Sequence, residues 1–96
     1  MTQREFYKHL KRLGFTRISL CTGEKTHYFF LDLPKVRLVV DRKFKREYGL
    51  YIRDVKDDNW IHNVLMVSFV PDMVKVFQLM SIIQTLGGKV SDKELQ

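Results

Sequence analysis

Three histidines, one cysteine and an Asp-Asp-Asn run are the first side chains in this 96-residue sequence to weigh for chemistry. His9, His27 and His62 lie 18 and 35 residues apart, and Cys21 has no Cys-x-x-Cys companion. Zinc ligands usually come in pairs roughly two to five residues apart, so a metal centre here would have to be assembled wholly by the fold, and none is expected. A lone cysteine also cannot close an intramolecular disulfide, which points to a reducing, cytoplasmic setting. Asp57 and Asp58 are consecutive, so their carboxylates point different ways, and with Asn59 they fit a polar turn. The sequence contains no Gly-rich phosphate loop, no Gly-x-Ser-x-Gly elbow and no His-Glu-x-x-His. No catalytic residue, metal or cofactor is assigned, and a non-enzymatic protein is expected.

The cations are more informative. Seventeen Lys and Arg stand against eleven Asp and Glu, a formal +6, a surplus that favours anionic partners. Residues 1–53 hold 13 Lys/Arg and 5 Asp/Glu, net +8, whereas residues 54–96 hold 4 and 6, net −2, so the basic function belongs to the first half. Arg4, Lys8, Lys11 and Arg12 recur at helical spacing and form a positive stripe. Arg42, Lys43, Lys45 and Arg46 crowd five positions around Phe44, in what reads as a loop tip able to follow a phosphate backbone. Either set could equally be a solvated face.

Helices and strands must position these groups. Thr2 and Glu5 have capping-box spacing, Phe6, Leu10 and Leu13 recur at i, i+4 and i+7, and Gly14 suits a left-handed cap, so the chain opens with a helix. Strands over Arg17–Thr22 and Thr26–Leu33 are expected around a two-residue Gly23-Glu24 turn, which sets Ile18 opposite Phe29, Leu20 opposite His27 and Arg17 opposite Phe30. That places His27 on the core side, where a histidine is more often a packing residue than a base. A reversal at Pro34-Lys35 then sets Leu31 opposite Leu38, Phe29 opposite Val40 and Asp32 opposite Arg37. A strand near Tyr48–Val55 turns Leu50 and Ile52 inward and Tyr51 and Arg53 outward.

Trp60–Val70 suits a fifth strand from about Val64, although its continuous apolar character also fits a buried helix. Pro71-Asp72 opens a second helix to about Leu86, closed by Gly87-Gly88. Met73, Val76, Phe77, Met80 and Ile83 make its core stripe, and Leu79, Ile82 and Leu86 extend the apolar arc toward the first helix or a second copy of the chain. The fold expected is therefore α+β, a four- or five-stranded antiparallel meander with an N-terminal and a C-terminal helix. It forms one domain over residues 1–86 with a flexible tail over 87–96. The longest apolar run, Val64 to Val70, is far shorter than the roughly 20 residues of a membrane span, and the N-terminus does not read as a signal peptide. No membrane partner is expected.

On these registers Arg17, Phe30, Val39 and Tyr51 share one outward row, with Tyr28, Arg37 and Arg53 beside it, the chemistry of a platform on which bases stack. The order helix, histidine-bearing hairpin, strand and helix resembles the double-stranded-RNA-binding-like fold of HicA-type mRNA-cleaving toxins. The Gly-Ser-His-His type of motif is absent, only Gly23 and His27 falling nearby, and the chain is not assigned to that family. The function expected is a small module that binds nucleic acid through its basic surface, with no cofactor and a possible homodimer. The alternative is a phage- or mobile-element-type inhibitor, anti-CRISPR-like, using the same surface on an acidic protein complex. A small RNA-cleaving enzyme comes third.

Overall fold

The Thr2 hydroxyl accepts the Glu5 amide at 3.1 Å and opens helix α1 (Gln3–Arg12) in the computed structural model, which describes residues 1–18, 27–54 and 60–90. The helix stops where the sequence predicts. Gly14, at φ +101°, donates to Lys11 and Phe15 donates to Leu10, satisfying two of the last carbonyls in a Schellman cap. Phe6, Leu10 and Leu13 are buried.

Five strands follow in a meander whose spatial order equals their chain order: β1 (Thr16–Ile18), β2 (Tyr28–Asp32), β3 (Val36–Phe44), β4 (Glu47–Asp54) and β5 (Trp60–Phe69). All neighbours run antiparallel, and the α+β architecture is the one expected. The β2–β3 reversal at Pro34-Lys35 is tight, with the Leu33 amide donating to the Val36 carbonyl at 2.8 Å, and it delivers the anticipated pairs Phe29–Val40, Leu31–Leu38 and Asp32–Arg37. Segment 60–69 is a strand along its whole length, and three register irregularities mark its pairing with β4.

Two parts of the sheet differ from the sequence reading. Thr16 rather than Arg17 lies opposite Phe30, Arg17 lies opposite Phe29, and Ile18 lies opposite Tyr28. A slip of one residue turns every side chain of a strand to the other face. β1 is an edge strand, and side-chain packing fits the observed register: on the helix face the Arg17 guanidinium lies 5.2 Å from the Tyr7 ring centre and 5.8 Å from that of Phe29. The Gly23-Glu24 turn and Leu20 lie outside the described residues. The second difference is at 42–46, which is no loop. β3 runs on through Phe44 and reverses at Lys45-Arg46, with Lys45 left-handed at φ 48°, so Arg42 and Lys43 are strand residues on opposite faces. Phe44 is 64% exposed.

Helix α2 (Met73–Thr85) is capped by Asp72, whose carboxylate accepts the Lys75 amide at 2.8 Å. Pro71 thus precedes the cap instead of occupying the first turn. Gly87 donates to Gln84 and Gly88 to Ile83, a second Schellman cap, and Val90 packs against the core, so the chain stays on the domain through residue 90. Positions 91–96 of the expected tail lie outside the described residues. The buried stripe of α2 is Val76, Leu79, Met80 and Ile83, while Met73 and Phe77 are exposed. Apolar residues surround this helix so completely that periodicity does not select a face, and the core takes the one centred nearer Leu79.

Both helices pack on the same sheet face. Phe6 meets Tyr48 edge-on at 5.1 Å and Phe69 at 6.0 Å, and one buried cluster joins α1, β2, β3, β4, β5 and α2.

Candidate nucleic-acid interface

Strand alternation divides the expected binding residues into two sets. Arg37, Lys43 and Arg53 project from the outer face with Phe30, Val39 and Tyr51, whereas Arg17 and Arg42 project from the face that carries the helices.

The outer row exists, but its rings are stacked from within the chain. Arg37 lies 4.4 Å from the Phe30 ring centre, while its Nε and Nη2 donate to the Asp32 carboxylate at 2.5 and 3.0 Å. This pairing holds the Asp32 carboxyl below the usual carboxylate range. Lys43 sits 4.4 Å from the Tyr51 ring centre and 3.4 Å from Asp41 Oδ2, and its interaction with Tyr51 raises the pKa of its ammonium. Val39, between Phe30 and Tyr51, is completely buried. Arg53 lies directly opposite Arg37. The platform expected for bases is therefore already occupied by internal cation–π contacts, and Arg17 is absent from it.

The other set converges. Arg4, Lys8 and Lys11 of α1 and Arg17 of β1 line an open depression of about 440 Å³, with Gln3, Tyr7 and His27. Arg42, Lys45 and Arg46 of the β3–β4 hairpin line a neighbouring depression of about 690 Å³, with the start of α1, Tyr48, Val70 and Pro71. The two share Gln3, and among the described residues neither has an Asp or Glu in its lining. The positive end of the α1 macrodipole adds to the same field. Arg12, expected on the α1 stripe, lies outside both linings.

His27 stands at the seam. Its carbonyl accepts the Arg42 amide at 2.9 Å, extending the β2–β3 ladder by one pair and fixing the ring beside Arg42. Arg42 Nη1 lies 3.2 Å from His27 Nε2, and Arg42 Nε donates to the Lys45 carbonyl at 2.5 Å. A guanidinium can only donate, so a bond from Arg42 uses the Nε2 lone pair, while Nδ1 faces the Tyr7 hydroxyl and the Gln3 amide nitrogen. The Gln3 amide nitrogen is 2.9 Å from both Nδ1 and the Tyr7 oxygen, and Tyr48 donates to Tyr7 at 3.0 Å. Burial, then the nearby Arg42 and Arg17 charges, lower the His27 pKa from 6.5. Burial and the bond to Tyr7 push the Tyr48 hydroxyl well above its ordinary value.

Gln3, Tyr7, His27 and Tyr48 were not among the partner-binding residues expected from sequence. The sequence places His27 on the core side; it is half-buried, on the helix face, with both ring nitrogens engaged. The i, i+4 spacing of Gln3 and Tyr7, beside the Phe6 stripe and ahead of the cationic one, was the available signal. Among the described residues no group of three or more His, Cys, Asp or Glu could hold a metal ion, and no helix is long and apolar enough to cross a membrane. Comparison with protein-family models, with curated proteins and with solved structures finds no match to this chain.

Proposed function

We propose that the protein is a non-enzymatic module that binds the phosphate backbone of nucleic acid along the two adjoining depressions. The observation that carries this reading is the convergence of four cations from α1 and β1 and three from the β3–β4 hairpin, with no carboxylate among the described residues of either lining. Like charges gathered in this way repel one another, and a polyanion relieves the repulsion while releasing its own counterions. The contacts are to phosphate, so binding is largely indifferent to sequence.

Fluorescence anisotropy with labelled single- and double-stranded oligonucleotides over a salt series tests this. If about four to six phosphates are neutralised, log K falls against log salt with a slope of about −3 to −5. A second reading has its own support: Val70, Met73, Val74 and Phe77 are exposed, and Val70 also lines the hairpin depression, so apolar surface adjoins the cations. That combination suits an inhibitor docking on an acidic protein surface. Absence of DNA or RNA binding at about 50–100 mM salt, where screening is weak, decides for the protein-directed reading.

A further inference from the structure

We infer that the His27–Arg42 contact is a subsite for one phosphodiester oxygen of the bound nucleic acid, and that filling it draws a proton onto His27. This rests on the nucleic-acid reading and adds to it a position and a proton.

The geometry supplies the argument. Among the described residues His27 is the one histidine in the lining of either depression, and the Arg42 it touches belongs to the lining of the other, so the contact lies between the two. Arg42 is held in place by its bond to the Lys45 carbonyl and by the ladder bond between its own amide and His27. In the unliganded protein the Nε2 lone pair accepts from Arg42, which requires a neutral ring. Protonation at Nε2 would set one N–H donor against another at 3.2 Å, between two positive charges. A phosphate oxygen resolves this conflict because it accepts from both groups at once.

Among the described residues no carboxylate faces a charged ring here. Tyr7 and Gln3 of α1 meet Nδ1, Arg17 of β1 and Arg42 of β3 add positive charge, and Tyr48 of β4 reaches the ring through Tyr7. Arg4, Lys8 and Lys11 line the same depression, and no carboxylate among the described residues lines it. A bound phosphate supplies an anion at this point. No covalent step is involved; the proton comes from solvent and returns to it when the ligand leaves.

The test is the affinity for a fluorescein-labelled oligonucleotide at constant salt between pH 7.5 and 5.5, for wild type and His27→Gln. Wild-type affinity should rise on acidification by up to about tenfold per pH unit, the limit for one coupled proton. His27→Gln should lack that increment while keeping its salt dependence. In parallel, the His27 ring resonances of the wild type, followed through pH with and without saturating oligonucleotide, should show its pKa raised by the ligand. This second readout needs no variant. Salt-dependent binding with an unchanged His27 pKa, or with the same pH slope in both proteins, overturns the subsite and leaves the nucleic-acid reading standing. Absence of binding at every pH overturns that reading itself.

Discussion

The Arg37 guanidinium rests 4.4 Å from the centre of the Phe30 ring while two of its nitrogens hold Asp32. One side chain thus covers the aromatic surface and pairs the acid that the sequence places opposite it. The outer sheet face thus has partners of its own within the chain, and Phe30→Ala should cost about 2 kcal/mol, less than a fully buried Phe→Ala because the ring is only half-buried. Oligonucleotide affinity should stay unchanged. Urea denaturation and anisotropy on the same protein check both; lost binding with the fold intact would restore the stacking platform.

The four hairpin cations no longer act as one group. Lys45 and Arg46 occupy the turn, and replacing both by alanine should change stability by less than about 0.5 kcal/mol while weakening the oligonucleotide complex. Arg42→Ala leaves His27 Nε2 and the Lys45 carbonyl without their donor and should cost about 1–3 kcal/mol. Thermal melts of the double and single variants side by side separate the two roles.

Much of this arrangement is legible in the sequence, and the exceptions have specific causes. Helix ends are local events, so Thr2, Gly14 and the Gly87-Gly88 pair mark them correctly. The β2–β3 register is legible because a tight turn, an apolar row and the Asp32–Arg37 pair all agree. Among the described residues β1 pairs through three positions, and Arg17 there packs on Tyr7, a residue of another element. The convergence of Arg17 with the α1 stripe follows from that one-residue difference. The Arg42–His27 contact is equally non-local, because it needs β3 to continue beyond Asp41 and the hairpin to close in two residues.

Stability should depend on pH through His27. Its folded pKa is depressed below 6.5, so below that value the unfolded chain binds the proton more readily. The contribution is present above pH 6.5 and is lost as pH falls toward and through the folded pKa. The ligand-free melting temperature should therefore decline between pH 7.5 and 5.5, and His27→Gln should flatten that part of the decline. An identical decline in both proteins would place the titration elsewhere.

The second helix cap is sensitive to volume at Gly88. A Cβ built there lies 2.6 Å from Ile83 Cγ2, 2.7 Å from Leu33 Cδ2 and 3.1 Å from the Ile83 carbonyl. Gly88→Ala should destabilise by about 1–3 kcal/mol, an overpacking cost, because backbone as well as side chains must give way. Gly87→Ala, at φ +88°, should cost about 1–2 kcal/mol from the left-handed conformation alone. Denaturant midpoints of the two single variants measure both effects.

Self-association through α2 should use a different part of the helix from the Leu79, Ile82 and Leu86 arc, which with the Phe30, Val39 and Tyr51 face is one of two surfaces the sequence suggests. Leu79 is fully buried and Ile82 and Leu86 pack against the core, so the widened arc of α2 is consumed within the chain. The apolar residues left outside on this helix are Met73, Val74 and Phe77, the last 50% exposed, with Val70 just before the cap. Light scattering at about micromolar concentration should give twice the 11.5 kDa chain mass if this face pairs with its own copy, the commonest symmetric way to cover such a patch. Phe77→Asp should then return a folded monomer, since the ring contributes little to the core, and weaken oligonucleotide binding by removing the second copy's cations. A wild-type monomer at that concentration excludes the homodimer and leaves the Phe77 face to the protein-directed reading.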